Sequence, residues 1–197
     1  MKLLLMKPIL DAPPVQRIVE NLIAKVCGPY CHAEVILDDG RSYSSVAGER
    51  GVRFLSAEDI NSELARHADY WTVVPLPWAT TDRAYQFCEQ ENGARYDYRG
   101  AFSSGFGLAR QDPDKWFCSE ISGRVISIVS GIHIPDLLCP TSLGTWIEGI
   151  LDGETDDSLE TYERVQRVKR LTKSIDLTME EKNYLGDLLG NQITMSV

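Results

Sequence analysis

The 197-residue sequence predicts an α+β fold in which an antiparallel sheet packs against helices. Three observations carry that expectation. Ala33-Glu34-Val35-Ile36-Leu37 and Arg41-Ser42-Tyr43-Ser44-Ser45-Val46 are strand-like runs joined by Asp38-Asp39-Gly40, the signal of a β-hairpin. Val15, Ile18, Val19, Leu22, Ile23 and Val26 recur at helical spacing. So do Ile121, Val125 and Ile128 in a segment from Cys118 to Gly131, with Ile132 next in the series just after it.

Each element has its own warrant. Leu3 to Leu10 opens as a short strand. Asp11 with Pro13-Pro14 starts a helix, a capping acid before prolines that need no N–H, and Gly28-Pro29 ends it. In the hairpin, taking Asp39-Gly40 as a two-residue loop sets Asp38 opposite Arg41, Glu34 opposite Ser45 and His32 opposite Ala47. Side chains alternate along a strand, so His32 and Glu34 share a face, and this register puts Ser45 with them. Gly51-Val52-Arg53-Phe54-Leu55 reads as a further strand. Ser56 caps a helix with Glu58 and Asp59 in its first turn. Tyr70 to Leu76 is a strand bounded by Pro75 and Pro77. Thr80-Thr81-Asp82 opens a helix closed by Asn92-Gly93. The stretch through Gly105 and Gly107 reads as a loop. After the Cys118 helix comes a proline-bounded turn, then a short helix capped by Thr141 or Ser142 and running through Leu143, Trp146, Ile147 and Ile150.

The expected organisation is one domain over residues 1–150 and an appendage over 151–197. In the appendage, an acidic linker (Asp152-Gly153-Glu154-Thr155-Asp156-Asp157) precedes two amphipathic segments, roughly Leu159 to Leu171 and Thr178 to Leu189. That tail would pack on the domain or bind a protein partner.

The net charge of −9 and pI near 4.8 argue against nucleic acid as a partner, because no basic excess is present to release counterions. Five cysteines at irregular spacing do not form a disulfide framework, so reduced thiols and a cytoplasmic location are expected. Leu3-Leu4-Leu5-Met6 is too short for a signal peptide core, and no stretch reaches the length of a membrane span. Cys27, Cys31 and His32 lack a second ligand pair, so no metal is expected. No cofactor is expected either. Gly105 and Gly107 do not complete a phosphate loop. His67 reads as a solvated helix end and His133 as a structural residue.

The chemistry concentrates on Trp116-Phe117-Cys118-Ser119-Glu120. Cys118 falls at a helix start, where free N–H groups and the dipole favour a thiolate, the nucleophilic form of cysteine. A cysteine flanked by Trp, Phe and Ile is equally a small buried apolar residue. A thiol hydrolase also needs a histidine to take the proton and a polar group to orient the histidine. His32 supplies the first, and Glu34 or Ser45 the second.

Cys31-His32-Ala33-Glu34-Val35-Ile36-Leu37, Gly40-Arg41-Ser42-Tyr43-Ser44-Ser45, Gly51-Val52-Arg53, Tyr96-Asp97-Tyr98-Arg99-Gly100 and Trp116-Phe117-Cys118-Ser119-Glu120 together resemble the circularly permuted papain-like hydrolases. These are the YiiX/YaeF-like branch of the NlpC-type cysteine peptidase superfamily, many of them bacteriophage-encoded. In this branch the histidine strand precedes the cysteine helix, as His32 precedes Cys118. The resemblance covers roughly residues 1 to 148. It implies Cys118 as nucleophile and His32 as base; the third member varies across the superfamily, and Glu34 is favoured because it shares the His32 face of the strand, with Ser45 the second choice. It implies that Tyr96 or Tyr98 lines the substrate site near the oxyanion, and that the Cys118 N–H helps form the oxyanion hole. It also implies an amide substrate, a peptide, an isopeptide or a cell-wall peptide. Two rivals stand beside that reading: a lipid acyltransferase or thioesterase of the same superfamily, and a non-catalytic structural or interaction protein such as a virion component.

Overall fold

The computed structural model describes residues 1–10, 14–47, 51–106, 112–135 and 138–153. The expected cap Asp11, Gly107 and the amphipathic tail lie outside them, as does the acidic linker from Glu154 onward. The order of elements is β1 (Lys2–Met6), α1 (Pro14–Cys27), β2 (His32–Ile36), β3 (Ser42–Val46), β4 (Gly51–Leu55), α2 (Ala57–Arg66), β5 (Trp71–Pro75), α3 (Asp82–Glu91), β6 (Arg95–Tyr96), α4 (Tyr98–Phe106), β7 (Lys115–Trp116), α5 (Cys118–Ser130) and α6 (Pro140–Leu151). A single 3₁₀ turn, Ala68–Tyr70, joins α2 to β5.

The fold is α+β. Five strands form one sheet in the order β4-β3-β2-β1-β5, with every neighbouring pair antiparallel. Central position explains the unbroken Leu3-Leu4-Leu5 run, because a strand covered on both faces needs apolar residues at every position. All three leucines are fully buried. On one face Leu3, Leu5, Ala33, Val35 and Tyr43 pack with Ile121, Val125 and Ile126 of α5 and Leu143 and Ile147 of α6. Each large aliphatic side chain buried there contributes about 1.5–3 kcal/mol. On the other face Leu4 and Ile36 pack against Ile60 of α2, flanked by Leu55, Leu64 and Trp71.

The hairpin register differs from the expected one by one residue. Val35 lies opposite Tyr43 and Ile36 opposite Ser42. Continuing that register sets Glu34 opposite Ser44, and moves Ser45 to the other face. The cause is the loop, which holds three residues instead of two. Leu37 N donates to Arg41 O at 2.9 Å, and Gly40 N donates to Leu37 O at 3.0 Å. Gly40 sits at φ 85°, the left-handed position that closes a three-residue hairpin loop. Asp38 is drawn away to accept from Thr80 N at 2.6 Å and from the Met1 amine at 2.8 Å.

Capping follows the sequence on α2 and α3. Ser56 Oγ accepts from Asp59 N at 3.1 Å, and Thr81 Oγ1 accepts from Ala84 N at 3.3 Å. Two expectations fail. The stretch through Gly105 is the helix α4, not a loop; its small residues hid the periodicity. The N-cap of α6 is Cys139, with Pro140 at the first helical position. Thr141 Oγ1 is used elsewhere, accepting from Tyr30 N at 3.1 Å to hold the end of α1 against α6.

A short parallel pair brings the chain to the cysteine. Tyr96 of β6 lies beside Trp116 of β7. Val52 N donates to Ala94 O at 2.9 Å, tying this pair to the edge strand β4. Gly51, at φ 53°, makes the junction, and a side chain there would collide with Ala94 O.

Candidate functional site

Cys118 is the first residue of α5. Phe117 is extended, and its N–H donates to Glu120 Oε2 at 3.4 Å, so the helix start is fixed by an acid in its own first turn. The first helical bond runs from Ile121 N to Phe117 O at 3.1 Å. The amides at Cys118 and its successors are therefore not consumed within the helix. Ahead of the cysteine, Trp116 O accepts from Asp97 N at 2.9 Å and from Ser45 Oγ at 2.7 Å. The Trp116 indole N–H donates to Glu91 Oε2 at 2.7 Å. The Phe117 ring is packed with Tyr96 and Ala101. Cys118 is thus delivered on a short segment held from both sides, and is 2% exposed.

His32 is the first residue of β2, opposite Met6 of β1. Its side chain is 16% exposed, so the imidazole retains an opening to solvent. The Trp71 indole stands edge-on to it, with ring centroids 6.4 Å apart. Its Nε2 lies 3.7 Å from Glu34 Oε2, and Cys118 lies near enough to act on the protonation of the ring. With Nε2 toward the carboxylate, Nδ1 is the nitrogen left to exchange a proton with sulfur.

Glu34 is 2% exposed and held on its other oxygen. Ser42 Oγ donates to Oε1 at 2.9 Å, and Arg53 Nη1 donates to Oε1 at 3.1 Å. Burial would neutralise this carboxyl, but His32, then Arg53 and Ser42, outweigh it and hold its pKa below the ordinary carboxylate value. Burial likewise pulls the His32 pKa down, yet the interactions with Cys118 and Glu34 prevail and push it up to about 9. The arrangement favours an imidazolium beside the ionised Glu34.

Tyr96 is buried, and its ring meets that of Tyr98 with centroids 4.9 Å apart. Burial, and after it the proximity of Cys118, pushes the Tyr96 hydroxyl well above the ordinary phenol range, so it stays protonated. All five cysteines are buried and free. Burial raises the pKa of both Cys31 and Cys88, which leaves them as unreactive thiols.

The structure brings Cys118, His32 and Glu34 together, with Tyr96 beside them. It does not bring Ser45 to the histidine: the register shift turns that side chain to the α5 face, where it fastens the Trp116 carbonyl. The two substrate-lining candidates separate, Tyr96 buried beside Cys118 and Tyr98 meeting the Tyr96 ring edge-on in partial exposure. His67 caps α2, its Nε2 3.8 Å from Glu63 Oε1, and His133 is exposed. Sequence reasoning missed Ser42, Arg53 and Trp71. Arg53 lies opposite Ser44 in the β3–β4 pairing, on the face that holds Glu34. A three-residue loop in the register count would have exposed this alignment. Among the described residues, no group of three or more His, Cys, Asp or Glu is placed to hold a metal ion, and no helix is long and apolar enough to cross a membrane.

No protein-family model matches the chain, and no curated protein and no solved structure matches it.

Proposed function

We propose that the protein is a thiol hydrolase with a permuted papain-like arrangement, Cys118 being the nucleophile, His32 the base and Glu34 the residue that orients it. The observation that carries this reading is His32 placed between Cys118 and Glu34, the sulfur at the open start of α5 and the carboxylate fixed from behind. Burial alone would leave a cysteine inert; the paired histidine separates Cys118 from Cys31 and Cys88.

In the proposed reaction His32 takes the thiol proton, and Cys118 sulfur attacks the carbonyl carbon of an amide. The carbonyl oxygen gains negative charge, for which the Cys118 N–H and the protonated Tyr96 hydroxyl are the nearby donors. Collapse of that intermediate breaks the C–N bond, and His32 gives its proton to the departing amine. A thioester remains. Water, deprotonated by His32, attacks it, releasing a carboxylic acid and the thiol. The proposed substrate is a peptide or isopeptide, with a cell-wall peptide in that class.

The test uses the full chain with iodoacetamide, mapping each modified thiol by mass spectrometry, followed by turnover assays on peptide, isopeptide and ester substrates. The expected result is selective labelling of Cys118 below neutral pH, its loss in His32→Ala, and amide cleavage that disappears in Cys118→Ala. Labelling of Cys118 no faster than that of Cys88 would overturn the assignment. Ester-only turnover on acyl lipids would replace the amide substrate by a lipid one.

A further inference from the structure

The two oxygens of Glu34 have separate surroundings. Oε1 takes both anchoring bonds, from Ser42 Oγ at 2.9 Å and Arg53 Nη1 at 3.1 Å. Oε2 faces His32 Nε2 at 3.7 Å. A carboxylate orienting a base loses its effect if it can rotate or take up a proton. We propose that Arg53 is a positioning residue of this site: it clamps Oε1 of Glu34 and so keeps Oε2 on His32. The proposal rests on the thiol-hydrolase reading given above.

The surroundings of Glu34 leave this task to Arg53. On its face of the sheet β1 contributes Leu4, β3 contributes Ser42, and α2 contributes Ile60 and Leu64. Trp71 of β5 stands nearby, beside His32. The acid of α2 closest to its C-terminus, Glu63, is engaged with Arg66 and His67 at 3.5 and 3.8 Å. Among the described residues, the cations paired with Glu34 are His32 and Arg53. His32 changes charge during the reaction, whereas a guanidinium does not. Arg53 therefore supplies the constant positive charge that holds Glu34 ionised while His32 gains and loses its proton. Charges then alternate through Arg53, Glu34 and His32, an order that a poorly solvated site requires. Arg53 is 19% exposed on an edge strand that backbone bonds to Gly93 and Ala94 secure, so it reaches inward without itself being stranded.

The experiment measures the iodoacetamide rate at Cys118 from pH 4 to 9 in wild type, Arg53→Met, Arg53→Lys, Glu34→Gln and the double variant Glu34→Gln/Arg53→Met, with thermal melts alongside. Removing a neighbouring opposite charge should move the acid limb of Arg53→Met up by about one to two pH units. Arg53→Lys should keep the limb near its wild-type position with a several-fold lower plateau. In the Glu34→Gln background, Arg53→Met should change the Cys118 rate less than twofold, because the group it acts through is gone. A merely structural arginine would lower the melting temperature and leave the limb where it was. The proposal is overturned if the Arg53→Met limb coincides with wild type, or if its penalty adds in full to that of Glu34→Gln. If Arg53→Met does not fold, Arg53→Lys and the charge-balanced double variant decide by the same criteria. A wild-type Cys118 without His32-dependent reactivity brings down the hydrolase reading itself, a result distinct from failure of the Arg53 limb to move.

Discussion

The two faces of the sheet solve different problems with the same strands. Toward α5, strands β2 and β3 offer Ala33, Val35 and Tyr43 to a continuous apolar core. Toward α2, the intervening positions carry Glu34, Ser42 and Ser44, and β4 adds Arg53. The first face is held by area and packing, so its loss is felt as stability. The second holds a buried charge in one orientation, so its loss is felt as chemistry. Period-two alternation lets both be written into strands of five residues. The serines of β3 show the division in miniature. Ser42 fixes Glu34, whereas Ser45, on the opposite face, fixes the backbone that carries Cys118.

The sharpest way to break this contrast is His32→Ala. Loss of the proposed proton acceptor should lower Cys118 alkylation at pH 6 by about 10²–10⁴-fold, the usual worth of a positioned base, and abolish any turnover the proposed function requires. Next comes Leu5→Ala on the apolar face, which should cost about 2–5 kcal/mol in denaturant unfolding. The Cys118 rate per folded molecule should stay within twofold; a large fall there would mean the faces are not separable. A third measurement follows stability with pH. The His32 pKa is raised from 6.5 to about 9, so its stabilisation is fully present below pH 6.5 and fades as pH rises through 9. Between those limits wild type should lose up to about 3 kcal/mol more than His32→Gln, by the linkage between pKa and stability. Equal losses in both proteins would place the titration elsewhere. The smallest effect expected is Ser45→Ala, about 1–3 kcal/mol for the loss of a buried hydrogen bond to Trp116 O. Cys118 reactivity should fall only a few-fold, with no movement along the pH axis.

Much of the fold was legible because local signals and burial agree. The Ser56 and Thr81 caps, the Cys118 helix ending at Gly131 and the apolar first strand all follow from propensity and periodicity. The hairpin register was not, because Asp38-Asp39-Gly40 fits a two-residue or a three-residue loop, and the choice is made far away by Thr80 and the Met1 amine. That single residue decides whether Ser45 or Ser42 stands beside Glu34. The α4 helix was hidden by Gly100, Ser103, Ser104 and Gly105, which carry almost no pattern. At the site, Cys118, His32 and Glu34 were visible as chemically able residues on definable elements. Arg53 was visible only as part of a strand, since its partner lies two strands away and no spacing along the chain encodes that distance.

The sheet has a consequence for the order in which the protein becomes competent during synthesis. Every strand of the five-stranded sheet lies between Lys2 and Pro75, so histidine, carboxylate, serine and arginine all leave the ribosome with the first part of the chain. Cys118 emerges only after α3 and α4. A polypeptide that stops before β7 carries His32, Glu34 and Arg53 but lacks Cys118 and the α5 and α6 side chains that cover one face of the sheet. Under the proposed thiol-hydrolase function, a chain interrupted before Cys118 lacks its nucleophile.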